Sequence, residues 1–462
     1  PDMLRRRIHF AALQHYRAEG VEDAERDDHR LAGIARHAAA AGLPSMAESA
    51  YLALAERARA RQIYLDAEQL YTRAIEISTS PSAAAFRARG LMRYRLARYH
   101  DALADFSSAR SLLSVDGDTA ARIELLLDEA TALDWMDNYK TSAERVRQAR
   151  ELASGPMSRA LEARILLGLG RALHRESREE EASRLLEQAA ELASEVGDEG
   201  YETVVVALLL LGFTLQGLGR LAEAARALDR SVALCEEHRD TLHLGSAMNI
   251  RGLLRACLGD KAGMVADLER VLSIGRELGQ GMLEIVAHYN LGEYLYLMND
   301  LEAAGPHVLA AIAVDRRSGR AVRPVLALLE ARVRLFQGDR EAAGAIVRGI
   351  RERGAEVIAS GGDVPLSPSE DVLCSMVELS TGGASDAEWD VLLARSAACS
   401  VGQEKIEVLE MAALAAIRLG RPAAAQARIE GALAEAAHIP NAMGERLRRL
   451  EMELEAIQSA SE

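Results

Sequence analysis

Only three lysines occur among the 462 residues: Lys140, Lys261 and Lys405. A phosphate loop needs Gly-x4-Gly-Lys-Ser/Thr, because backbone amides cradle the phosphates while the lysine reaches them. None of the three lysines stands in that context, so nucleotide hydrolysis by this chain is not expected. His238-Arg239-Asp240 imitates the catalytic loop of a phosphotransferase. The position five beyond the Asp is Gly245, however, where an Asn would have to hold metal, so the tripeptide reads as a helix turn. No His-Glu-x-x-His is present, and Cys235, Cys257, Cys374 and Cys399 form no Cys-x-x-Cys, so neither zinc nor a redox pair is signalled. Asp27-Asp28 and Glu179-Glu180-Glu181 read as solvated charge runs near helix starts, where carboxylates complement the dipole. Gly168, Gly170, Gly212, Gly217 and Gly219 follow helical patterns and no strand, so they are not a dinucleotide fingerprint. The expectation is a chain that is not an enzyme and needs no cofactor or metal.

Residues able to bind rather than react do share helical faces. Arg164, Leu167, Arg171 and His174 are spaced by three, four and three, which places them on one side of a helix. Arg87 and Tyr94 take equivalent places on an earlier helix. Later ones supply Val206, Leu209, Phe213 and Gln216, then Ser246, Asn249 and Leu253, then Val286, Tyr289, Glu293 and Tyr296. Arginine forks suit a carboxylate or phosphate, aromatics give apolar contact at low entropy cost, and Asn249 suits a peptide backbone. The other reading is that Leu167, Val206, Leu209 and Leu253 continue a core while the arginines are solvated. Both stay open at this point.

The elements carrying these residues repeat. From Gly90 a small residue is followed twelve later by Ala102, then by Phe106 and Ala109. The frame recurs as Gly170–Ala182–Leu186–Ala189, Gly212–Ala224–Leu228–Ser231, Gly252–Met264–Leu268–Val271 and Gly292–Ala304–Val308–Ala311. Weaker copies start at Ala55, Ala130, Ala331 and Ala413. The anchors 102, 142, 182, 224, 264, 304 and 343 lie 40, 40, 42, 40, 40 and 39 apart. Turn signals precede each second helix: Leu218-Gly219-Arg220, Leu258-Gly259-Asp260, Met298-Asn299-Asp300 and Gln337-Gly338-Asp339. The physical reading is two antiparallel helices per repeat, with a small residue on the first letting the second pack close. Each pair then exposes an apolar face that only a neighbour covers.

These residues resemble the tetratricopeptide repeat, through Leu166…Leu169-Gly170 and Asn290-Leu291-Gly292 followed by the Ala, large apolar, small frame. The period is near 40 rather than 34, and the closing proline is mostly absent. The fold this implies is all-α, a right-handed superhelical solenoid of about ten helix pairs. The longer period, with Leu-Gly-Asp turns, is similar to the helical arms of bacterial STAND-type signalling ATPases: maltose-activator-like regulators and fusions to kinases or cyclases. The segment from Arg5 through His37 to Leu52 also resembles the stretch joining such an ATPase to its arm. The resemblance implies that the helix face described above lines a concave groove, with Arg87, Tyr94, Arg164, Arg171, His174, Phe213, Asn249, Tyr289, Glu293 and Tyr296 as the ligand- or partner-contacting residues. The expected function is binding of a peptide, partner protein or small effector by a sensor or regulatory arm, or by a free-standing scaffold or peptide-responsive regulator.

Composition agrees with that class. The hydrophobic share is 49% with only 4% aromatics, so Ala and Leu carry the core and helix is favoured. A net charge of −15 repels nucleic acid and anionic lipid, leaving neither expected as a direct partner. The longest apolar run, Val204 to Leu211, is too short for a membrane, and the dispersed cysteines read as buried reduced thiols of a cytoplasmic protein. The expected divisions are a helical lead-in at 1–45, the regular array at 46–352, an irregular loop and degenerate repeat at 353–385, and a last repeat with a capping helix at 386–462. Arg353 to Glu370, with Gly361-Gly362-Asp363-Val364-Pro365, reads as a loop, with Ser369 capping the next helix. From Asn441, Met443, Leu447, Leu450, Leu454 and Ile457 among charges read as a solvated cap.

Overall fold

The computed structural model describes residues 2–18, 24–113, 118–136, 138–153, 155–317, 321–360, 366–399 and 402–459. Among the described residues there are 23 α-helices, one 3-10 turn and no strand, divided between compact units at 1–207 and 208–462. The protein is an all-α helical-repeat array.

In the first unit α1 (Asp2–Ala18) packs on α2 (Ala24–Ala41), so the lead-in is itself a helix pair. Then α3 (Pro44–Ala60) packs on α4 (Tyr64–Ile77), α5 (Ala83–Arg95) on α6 (Tyr99–Leu112), α7 (Thr119–Asp134) on α8 (Tyr139–Leu152), and α9 (Arg159–Arg175) on α10 (Glu179–Ser194). The anchors Ala67, Ala102 and Ala182 are fully buried, and so is Leu186. A β-carbon on Gly90 would lie 2.6 Å from the Phe106 ring, and one on Gly170 would lie 2.8 Å from Leu186 Cγ. The small residue therefore meets the large one sixteen positions later, which is the geometry the repeat frame demands.

α11 (Tyr201–Gly217) runs from the first unit into the second. Together with the 3-10 turn before it, it is the one described helical segment long and apolar enough to cross a membrane, and most of that stretch is buried inside the protein. The second unit continues with α12 (Leu221–Glu237), α13 (Thr241–Cys257), α14 (Lys261–Glu277), α15 (Gly281–Leu297), α16 (Leu301–Arg316), α17 (Pro324–Phe336) and α18 (Arg340–Ala359). Gly212, Gly252 and Gly292 face Leu228, Leu268 and Val308 in the same register. Gly219, Gly259 and Gly338 take positive φ of 71°, 76° and 90°, where the chain reverses between paired helices. There Gly259 N–H donates to the Ala256 carbonyl and Asp260 N–H to the Arg255 carbonyl, closing the first helix. Asp260 then caps the second, its side chain accepting from Gly263 N–H.

Three local expectations are corrected. α18 continues through Arg353 to Ala359, since the isolated Gly354 is tolerated inside a helix and the Gly and Pro cluster of the sequence begins only at Gly361; the expected loop at 361–365 lies outside the described residues. The next helix, α19 (Pro368–Gly382), is capped by Ser367 rather than Ser369, with Glu370 returning a bond to the Ser367 N–H as a capping box. Asp27 and Asp28 are not a solvated run: they pair with Arg57 of α3, Asp28 also with Arg61, and Asp27 is buried. The unit ends with α20 (Asp386–Cys399), α21 (Gln403–Arg418), α22 (Pro422–Ala436) and α23 (Gly444–Ser459). His238-Arg239-Asp240 is a turn as expected: Arg239 has φ 53°, and Asp240 caps α13.

Candidate functional site

In the first unit the expected basic residues are held by the chain's own acids. Arg87 Nε donates to Asp128 Oδ2 at 2.7 Å, and its guanidinium also pairs with Glu124. Arg164 Nη2 donates to the other oxygen of the same carboxylate, Asp128 Oδ1, at 2.6 Å. The Asp128 side chain is 3% exposed, so two arginines from α5 and α9 neutralise one buried acid of α7. Burial works against the charge of Arg87, but Asp128 and Glu124 outweigh it and hold the guanidinium above its ordinary range. Arg171 Nη1 donates to Thr131 Oγ1 at 3.2 Å, and His174 Nδ1 lies 2.8 Å from Glu179 Oε2. The arginines on this face thus tie first helices of neighbouring repeats together, an arrangement neither sequence reading had offered.

Tyr94 belongs to an aromatic group that the sequence reading missed. Trp135, just past α7, stacks on Tyr99 with centroids 6.0 Å apart and planes at 10°, and its Nε1 donates to Tyr94 Oη at 3.0 Å. Trp135 is nonetheless 55% exposed. Arg175 lies over Tyr139, 4.2 Å from the ring centroid, one repeat further on. A signal was available: Trp135 is one of only two tryptophans in the chain.

In the second unit, likewise, first helices are linked across one repeat. Gln216 Nε2 of α11 donates to Cys257 Sγ of α13 at 3.5 Å. Asn290 Nδ2 of α15 donates to Asn249 Oδ1 of α13 at 2.8 Å, which fixes the Asn249 amide with its own NH2 still available as a donor. Phe213 is 38% exposed, and Tyr289 is half-buried. Burial, and then Glu293, hold the Tyr289 hydroxyl well above its usual range, so it is a neutral donor at ordinary pH.

Glu293 and Tyr296 have a different setting from the one expected. Glu293 Oε1 accepts from Arg332 Nη1 at 3.2 Å. Tyr296 is not an open groove residue: it is fully buried, its hydroxyl against Glu407 and its ring edge-on to Phe336 at 5.3 Å. Helices α17, α21 and α23 supply Arg332, Glu407 and Arg446 around it, and all three are buried. Helical periodicity assigned Tyr296 to the same face as Tyr289, but nothing local said that later helices would cover it.

Among the described residues no three His, Cys, Asp or Glu side chains gather where they could hold a metal. Cys257 is pushed up to about 11 and Cys374 to about 12, in both cases by burial first.

The helix pairs and their links from one repeat to the next give a tetratricopeptide-like helical-repeat fold. Residues 161–237 match the tetratricopeptide repeat family. The chain is similar in fold to a Rap protein solved in complex with Competence and Sporulation Factor (TM-score 0.58, 13% identity, 81% of this chain and 99% of that one). It is also similar to the apo quorum sensor NprR from B. thuringiensis (TM-score 0.52, 12% identity, 74% of this chain and 98% of that one). A third likeness is to a Signal Transduction ATPase with Numerous Domains, bearing a tetratricopeptide repeat sensor, from Pyrococcus horikoshii (TM-score 0.52, 15% identity, 76% of this chain). This chain spans only 52% of that ATPase. No curated protein matches the sequence.

Proposed function

We propose that this chain is a non-catalytic regulatory repeat domain of a cytoplasmic bacterial signalling protein, and that it binds an extended peptide or a peptide segment of a partner protein. The observation that carries the reading is the Asn249–Asn290 bond, with Phe213 exposed on the first helix of the preceding repeat. It holds an amide donor rigid on the face of α13, where a peptide carbonyl could accept from it, and Phe213 and the Tyr289 hydroxyl supply apolar and polar contact on the same unit. Rigid amide and aromatic groups bind at low entropy cost. The arginines of the first unit are assigned a secondary role, because an anionic ligand would have to compete with Asp128 for Arg87 and Arg164. The fold likeness to a Rap protein solved in complex with Competence and Sporulation Factor supports the binding of a factor by a fold of this kind. The ATPase with a repeat sensor supports a place as the sensing arm of a larger protein, and a reading frame that encodes a nucleotide-binding module upstream would bear that out.

The test is selection of a random peptide display library on the full chain, followed by calorimetric titration of an enriched peptide. Asn249→Ala should weaken binding by about 1 kcal/mol, the typical net worth of one neutral hydrogen bond. Phe213→Ala should weaken it by at least as much. Unchanged affinity in both variants, with unchanged melting, would place the binding surface elsewhere.

A further inference from the structure

The C-terminal helix α23 buries only two side chains along its sixteen residues, Arg446 and Leu450. One of those two is an arginine, and it is 1% exposed. Its guanidinium carbon sits 4.2 Å from the Phe336 ring centroid and 4.8 Å from that of Tyr296, between rings held edge-to-face at 88°. Arg446 Nε donates to Glu410 Oε2 at 2.8 Å, and Nη2 pairs with the same oxygen. Glu410 is itself fully buried on α21, so the cage has an aromatic wall, an acidic floor and a planar cation inside it.

The cage holds more negative charge than its buried cations balance. Three carboxylates, Glu293, Glu407 and Glu410, pair with the two buried guanidinium groups of Arg332 and Arg446. Arg449, which is partly exposed, approaches the second Glu410 oxygen only to 3.5 Å. Arg332 is fully committed, bonding Glu407 through Nε at 3.0 Å and through Nη2, and Glu293 through Nη1. Arg446 is not: its Nη1 is buried with no hydrogen-bond partner. Leaving such a donor unmet costs free energy, so the cage does not saturate the arginine that fills it. Two aromatic faces and a carboxylate aligned on one edge suit a guanidinium better than an ammonium, which cannot stack.

We propose that the Tyr296–Phe336–Glu410 cage is an arginine-binding site which Arg446 occupies in cis, and that an arginine-bearing segment of a partner takes it by displacing α23. The helix is thus a latch, held by Leu450 and by one arginine that a competitor can imitate. This site is separate from the Phe213–Asn249 face and answers to a different probe, so either can fail alone.

The experiment follows backbone amide exchange of residues 444–459 in the full wild-type chain, with octa-arginine or octa-lysine added. Octa-arginine should raise exchange across α23 at least several-fold, and octa-lysine at equal concentration should not. No rise with octa-arginine overturns the proposal. An equal rise with octa-lysine also overturns it, because attraction to the acidic surface would then be enough. Arg446→Lys keeps a charge beside Glu410 but loses the stacked plane, and it should lower the octa-arginine concentration for half-release at least ten-fold. An unchanged half-release concentration would overturn the assignment of Arg446 as the occupant.

Discussion

A β-carbon on Gly212 would stand 2.5 Å from Leu228 Cγ, closer than two carbons can approach without displacement. This contact joins the two helices of one repeat and recurs at Gly90–Phe106, Gly170–Leu186 and Gly292–Val308. Gly212→Leu should therefore destabilise the second unit by about 1–3 kcal/mol through overpacking. Gly217, with nothing within 4 Å of its own β-position, is the control: Gly217→Ala should be neutral or gain up to about 1 kcal/mol in helix propensity. Denaturant melts of both variants would check the pair, and equal stabilities would show that the close approach carries no energy.

Asp128 should act as a structural staple. Asp128→Ala removes the acceptor shared by Arg87 and Arg164, and should cost roughly 1–3 kcal/mol, since both arginines are partly exposed and can rehydrate. A double-mutant cycle with Arg164→Ala should show coupling, measured as melting free energies that do not add. Strict additivity would mean the contact is incidental.

His288 and His307 should make stability depend on pH. Their Nδ1 atoms lie 3.1 Å apart, which suits one neutral ring donating to another. Burial first, then His307 and Arg276, lower His288 to about 4, and burial lowers His307 as well. An unfolded histidine titrates near 6.5. Between about 6.5 and about 4 the unfolded chain takes up a proton that folded His288 refuses, so stability falls as pH drops through that window and no further on this account below it. Thermal melts from pH 7 to 4 should fall more steeply for wild type than for His288→Leu. Parallel curves would remove the pair from the pH dependence.

Cys257 and Cys374 should resist alkylation in the folded chain at pH 7.5, because thiols pushed up to about 11 and about 12 hold almost no thiolate there. Iodoacetamide labelling mapped by mass spectrometry should find both unmodified until denaturant is added. Prompt labelling of either in the native protein would contradict the burial that raises them.

What the sequence by itself determined was everything that recurs. The forty-residue frame, its glycines and its Leu-Gly-Asp turns are local signals, repeated often enough to specify helix, reversal and the partner sixteen residues on. Gly252 meets Leu268 and Asp260 caps α14 for reasons contained within a single repeat. Part of the proposed site rests on the same terms, since helical spacing assigned Asn249 and Phe213 to equivalent faces of two first helices. What only the tertiary structure decided was who covers that face. Arg87 and Arg164 read as open cations because Asp128, on another helix, is invisible to a pattern counted along one helix. Tyr296 read as a groove residue because Glu407 lies 111 positions away, on a helix that no pattern counted along α15 reveals. Arg446, in a segment of interleaved charges, read as solvated. Burying a guanidinium is favourable only where aromatic rings and a carboxylate are already assembled around it, and that assembly exists only once separate helices have packed.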